Sequence, residues 1–236
     1  MLFSFLLSVF YLRVNCETLL KQTTMPTSEI TQINQITELI YYTAPRKILD
    51  IGIGGGKYAF LSREYLDQPY IAEPVRTVIH GVEAFPQYIR PLHSMLYDRI
   101  FIGDFATIKE QIDKDYDLIL FIDVIEHFTK EEGLELIRFL LRRGKNLVIA
   151  TPDGFVEQDE VFDNPYEIHK SGWSRSDFSE FENKMFLYHD FQLIVYLGAD
   201  SRRVKSAMAG AKRFYLLKQM FPFIKRPIRK LMAAFH

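Results

Sequence analysis

The chain has 236 residues, 48% of them hydrophobic and 25% charged, a globular balance that supports one sizeable core and excludes a disordered or fibrous chain. Its single cysteine, Cys16, excludes an internal disulfide and a cysteine metal cluster, so a reducing, cytoplasmic setting is expected. The net charge of −1 hides an asymmetry: ten of the 29 Lys and Arg residues follow Asp200 and none of the 30 Asp and Glu residues does, which leaves an acidic body with a basic end.

Residues 1–12 form an apolar run shorter than the roughly 20 residues that span a bilayer. The run has neither the basic leader nor the small-residue cleavage site of a secretory signal. Residues 1–26 are therefore read as an apolar extension, serving as an anchor to a membrane surface or preceding a functional start at Met25. From Thr27 the apolar residues Ile30, Ile33, Ile36, Leu39 and Ile40 recur at helical spacing, with Thr27 or Ser28 available as N-cap.

Beyond this helix, β-rich runs at 47–52, 77–83, 99–104, 117–123 and 146–151 alternate with helical stretches at 57–66, 85–97, 105–112 and 129–143. That alternation predicts an α/β fold, a doubly wound, mostly parallel sheet with flanking helices. After Thr151 comes a polar stretch carrying Pro152 and Pro165, too long for an ordinary connection and placed where a lid or ligand-contacting loop belongs. A short helix over 176–185 and a strand over 191–197 follow. The main domain is set at 27–200 and a basic C-terminal tail at 201–236, within which residues 213–218 supply a seventh strand or the whole tail is helical.

The most specific motif is Asp50-Ile51-Gly52-Ile53-Gly54-Gly55-Gly56, at the turn from the first strand into a helix. Glycines there allow unusual dihedrals and a close backbone approach to a ligand. The phosphate loop of nucleotide hydrolases fails, because Tyr58 follows Gly56-Lys57 and Ile51 stands where the first glycine belongs. A dinucleotide fingerprint survives in the weaker form Gly54-x-Gly56-x-x-Ala59.

Asp50-x-Gly52-x-Gly54-x-Gly56 resembles the first motif of class I S-adenosylmethionine-dependent methyltransferases, whose fold is Rossmann-like, and the later strand ends match that family in order over roughly 28–198. The resemblance implies S-adenosyl-L-methionine as cofactor, bound by Asp50, Gly52, Gly54, Gly56, Glu83, Asp104, Phe105 and Asp123. In it Glu83 accepts from both ribose hydroxyls, Asp104 meets the adenine amino group, and Phe105 packs on the ring. The segment Asp123-Val124-Ile125-Glu126-His127-Phe128 is similar to the Asp/Glu-x-x-Glu-His segment of many small-molecule and some RNA methyltransferases.

His127 and His169 are the expected catalytic residues facing the acceptor, since a hydroxyl acceptor is helped by a base and imidazole has a suitable pKa. The order Asp123, Glu126, His127, His169 also resembles the divalent-metal quartet of small-RNA 2′-hydroxyl methyltransferases. The favoured expectation is nevertheless no metal, because Glu-His after the fourth strand is common in metal-independent members. Tyr166 and Trp173 stack on a ring-shaped acceptor or belong to the core. The expected activity is methyl transfer to oxygen or nitrogen of a small-molecule or glycan acceptor, with peripheral membrane contact through the termini as a further expectation. The rivals are an RNA 2′-O-methyltransferase, a nicotinamide-dependent oxidoreductase and a non-catalytic cofactor-binding module. Against nucleic acid stand the acidic body and the absence of any RNA-binding motif.

Overall fold

The computed structural model describes Met25 and residues 27–67 and 76–220. The apolar extension lies otherwise outside the described residues, as does the chain beyond 220. Seven strands, β1 (Lys47–Ile51), β2 (Val78–Glu83), β3 (Arg99–Ile102), β4 (Leu118–Ile122), β5 (Asn146–Pro152), β6 (Lys184–Leu187) and β7 (Gln192–Gly198), form one sheet in the order β3-β2-β1-β4-β5-β7-β6. The first five run parallel, and β7 is antiparallel to both of its neighbours. The expected doubly wound, mostly parallel sheet is therefore present.

Helices α1 (Ile33–Thr43), α2 (Lys57–Leu66), α3 (His93–Leu96), α4 (Phe105–Ile108), α5 (Lys130–Leu141) and α6 (Ser201–Met220) cover the two faces. Side-chain alternation along the strands divides the core in two. Ile48, Leu118, Leu120 and Val148 point to the layer shared with α1, α2 and the start of α6, while Leu49, Ile119, Phe121 and Ile149 point to the layer shared with α5 and Trp173. The chain reverses strand order between β1 and β4, and the crevice at the carboxyl ends there is where ligands bind in such sheets.

α2 matches its expected span, and α5 starts one residue later than expected because Thr129 caps it. The Thr129 hydroxyl accepts from Glu132 N while Glu132 reaches back to Thr129 N. Three expectations are corrected. The helix read over 85–97 is a 3-10 turn at Pro86–Tyr88 and the short α3, interrupted where Pro91 removes a backbone donor. The helix read over 105–112 is α4 followed by a 3-10 turn at Lys109–Gln111. The helix read over 176–185 is a 3-10 turn at Arg175–Phe178 that gives way to the edge strand β6, so the seventh strand lies here and residues 213–218 are helical. Val204 and Met208 are buried in the core, so the segment set apart as a tail begins inside the packing of the domain.

Candidate active site

A cavity of about 750 Å³ opens across the carboxyl ends of β1, β2, β3 and β4. Its floor is the glycine turn after β1. Gly54 has φ +46° and nothing within 4 Å of the place a Cβ would occupy, so that side of the backbone is open to a ligand. Gly56 serves differently: it does not line the cavity, and at φ +77° a Cβ there would stand 2.8 Å from Leu96 Cδ1. Its absent side chain lets α3 pack beneath the turn.

Asp50 is buried behind the turn and does not line the cavity; its Oδ2 accepts a hydrogen bond from Tyr97 Oη at 2.6 Å. Burial pushes its carboxyl up to about 7 against the lowering effect of that bond. Its side chain ties the end of β1 to Tyr97 behind the cavity rather than facing a ligand. Glu83, ending β2, does face the cavity, with Oε1 accepting from Phe85 N at 2.9 Å and Oε2 from Gly54 N at 3.3 Å. Burial raises its pKa to about 7, opposed by the two backbone donors.

Asp104 and Phe105, after β3, line the same space. The Phe105 ring is buried, edge-on to Phe139 at 5.9 Å, so it is anchored in the core as well as bordering the cavity. Asp123, after β4, holds a left-handed backbone at φ +52°, a strained conformation for a residue with a side chain. Its Oδ2 accepts from Gln32 Nε2 at 2.7 Å, and burial pushes its carboxyl up to about 6.

Glu126 and His127 occupy a 3-10 turn after β4, and His169 arrives from the long loop that follows β5. The two rings lie 5.0 Å apart, and Glu126, His127 and His169 each offer a donor atom within 4.8 Å of the others. Asp123 stands outside that cluster, so of the four residues in the metal-like order three come together. The separation has a local cause: the Asp123 carboxylate is held toward the N-terminal segment by Gln32.

His127 Nδ1 lies 3.2 Å from Ile168 O and His169 Nδ1 2.6 Å from Val156 O. A carbonyl only accepts, so in each neutral ring Nδ1 carries the proton and Nε2 the lone pair. Burial pushes the His127 pKa down to about 4, which keeps that ring neutral at physiological pH. Glu126 is buried, Oε2 has no hydrogen-bond partner, and burial followed by the charge of Asp123 pushes its carboxyl up to about 8.

Of the two aromatics left open by the sequence, Tyr166 lines the cavity. Trp173 is fully buried in the core against Phe178, with Nε1 donating to Ser171 Oγ at 2.9 Å. Sequence reasoning missed Gln32, Tyr97 and Glu167. Gln32 carried a signal, being a polar side chain that heads the stripe Gln32, Ile36, Leu39, Ile40, Thr43 buried by α1 and the preceding turn. Tyr97 and Glu167 carried none, since only the fold brings them to Asp50 and to the cavity.

No protein-family model matches the sequence, and no curated protein matches it by sequence. Solved structures match the fold. The N-terminal domain of EvdMO1, determined in the presence of S-adenosylhomocysteine and D-fucose, aligns with TM-score 0.54 and 15% identity over 73% of this chain and 84% of that one. An O-methyltransferase family protein from Burkholderia thailandensis aligns with TM-score 0.52 and 13% identity over 72% of this chain and 55% of that one. The plantazolicin methyltransferase BpumL in complex with S-adenosylhomocysteine aligns with TM-score 0.50 and 16% identity, over 71% and 84%. The chain thus spans little more than half of the Burkholderia protein and most of the other two. Sheet order, cavity position and these likenesses together give the chain the fold of the class I S-adenosylmethionine-dependent methyltransferases.

Proposed function

We propose that the chain transfers a methyl group from S-adenosylmethionine to an oxygen or nitrogen atom of a small-molecule or glycan acceptor, in a reducing compartment. The observation that carries this reading is the meeting of four strand-end features around one cavity: Gly52–Gly54, Glu83, Asp104 with Phe105, and Asp123 with Glu126 and His127. The residues present fit the cofactor. Gly54 leaves its side of the turn open, Glu83 offers two carboxylate oxygens to a ribose diol, and Asp104 offers an acceptor to an adenine amino group. A nicotinamide enzyme gives Asp104 and the Asp123–His127 segment no task.

When bound, the cofactor supplies an electrophilic methyl group on a sulfonium. The protein's own contribution is alignment of the acceptor atom with that group. The Nε2 lone pairs of His127 and His169 accept hydrogen bonds from the acceptor and orient it. The acceptor proton passes to Glu126, whose raised proton affinity lies nearer to neutrality than that of His127.

One observation favours a second reading of the same cluster. Glu126, His127 and His169 present their donor atoms within 4.8 Å of one another, Glu126 Oε2 lacks a partner, and both Nδ1 atoms are tied to carbonyls in the manner of metal-ligating histidines. Two imidazoles and a carboxylate suit a divalent ion of the manganese or iron type, which would lower the pKa of a bound hydroxyl. A metal-assisted RNA 2′-hydroxyl reaction draws support from the same cluster, whereas the carboxylates of Glu83, Glu126 and Glu167 around the cavity oppose a polyanion.

The test is transfer of labelled methyl from S-adenosylmethionine to a panel of sugars, phenols, amines and RNA, with and without chelator. Labelled sugar, phenol or amine that is lost in His169→Ala supports the proposal. Loss of rate on chelation, restored by manganese, assigns the metal role. Cofactor binding with no labelled acceptor of any class would make the chain a binding module.

A further inference from the structure

The basic end of the sequence has no task in the site described above, and its helix has two unlike sides. At 3.6 residues per turn, Val204, Met208 and Ala211 lie on one side of α6, and the first two are buried against the sheet and α1. Tyr215 continues that stripe yet is 61% exposed, so the helix outruns the body of the domain. Arg213, Leu216, Leu217 and Met220 fall on the opposite side within an arc of about 100°. The three apolar side chains among them are 58%, 49% and 70% exposed. Lys205 and Lys212 border this face, and no acidic residue occurs from 201 to the end of the chain.

We propose that the outward face of α6 docks on an anionic lipid surface, with Leu216, Leu217 and Met220 entering the headgroup boundary and Arg213 and Lys212 meeting lipid phosphates. The chemistry selects this occupant. A nucleic acid would satisfy the charges but give the three exposed apolar side chains nothing to pack on. A second copy of the face would pack the apolar side chains together but bring Arg213 and Lys212 of both copies into one interface with no acidic partner on the helix. An interfacial helix with apolar and basic residues on one exposed face, lying on the membrane rather than crossing it, satisfies both. No helix among the described residues is long and apolar enough to cross a membrane.

The test is flotation of the full chain with vesicles of phosphatidylcholine alone or with about 30% phosphatidylserine. Association with the anionic vesicles only, weakened by salt, is expected. K212Q/R213Q should weaken it about fivefold per charge removed. L216S/L217S should abolish it, while both variants keep the S-adenosylhomocysteine affinity of the parent. Failure of the parent to float would overturn the proposal, as would flotation that neither variant alters. Dimerisation lost in L216S/L217S, or RNA binding lost in K212Q/R213Q, without vesicle binding would overturn it in favour of those partners.

Discussion

Glu83 and Glu126 are both buried carboxyls at the carboxyl edge of the sheet, and burial pushes both upward, to about 7 and about 8. Their surroundings differ. Glu83 sits among backbone donors fixed by the glycine turn and the end of β2, so both of its oxygens have partners before any ligand arrives. Glu126 sits where a 3-10 turn meets the long loop, which donates two backbone N–H groups to the Glu126 carbonyl but leaves side-chain Oε2 without a partner. One end of the cavity is preorganised by short turns between adjacent elements. The other is assembled from chain segments some 40 residues apart and keeps an unsatisfied group at its centre. Shared nucleotide chemistry suits the first arrangement and a particular acceptor the second.

The largest expected effect breaks the acceptor side. Trp173 fills the layer beneath the loop, covered by Lys130 and stacked near Phe178, so Trp173→Ala should cost about 3–5 kcal/mol of stability in denaturant unfolding. A loss below about 1 kcal/mol would show that the loop is not held through this residue. Next, Glu83→Ala removes the proposed acceptor of two ribose hydroxyls. At about 1.5–3 kcal/mol for a hydrogen bond to a charged group, S-adenosylhomocysteine affinity should fall at least tenfold and toward 100-fold.

A third prediction separates the two carboxyls in function. Only ionised Glu126 can take a proton or hold a cation, so kcat/KM should rise with pH through about 8 and flatten above it. In Glu126→Gln that limb should disappear together with most of the activity, while S-adenosylhomocysteine affinity stays within about threefold of the parent. Persistence of the limb would assign it to another group.

The same shifts set the pH dependence of the ligand-free protein. Asp50, Glu83 and Glu126 all have folded values above their unfolded ones, so their contribution to stability is complete below about pH 4 and is lost as pH rises through about 7 to 8. The melting temperature should therefore be lower at pH 8.5 than at pH 6, and Glu126→Gln should narrow the gap; a gap as wide in the variant would acquit Glu126. The smallest effect is at the α5 cap, where Thr129→Ala should cost about 1 kcal/mol with no change in cofactor affinity.

The same contrast governs what could be read without the fold. Five parallel strands and the glycine turn announce themselves because their residues are contiguous and their periodicity is strong, and Glu83, Asp104 and Asp123 follow by counting strand ends. β6 is missed, its first two residues falling in the helix expected over 176–185 and its last two in no expected element, because an edge strand of four residues has too few alternations to register. The support of Asp50 by Tyr97 spans 47 residues, and the Gln32 bond to Asp123 spans 91. No local pattern encodes either. His127 and His169 were found as types in order, but the exclusion of Asp123 from their cluster depends on where its carboxylate is pulled, which only packing decides.

The central claim is that the preorganised end of the cavity holds S-adenosylmethionine through Glu83. Calorimetric titration with S-adenosylhomocysteine, with NADH alongside and Glu83→Ala as control, tests it most directly. The account predicts binding near the micromolar range, about −8 kcal/mol, weakened in the variant and absent for NADH. NADH binding in place of S-adenosylhomocysteine, or an affinity that Glu83→Ala leaves unchanged, would contradict it.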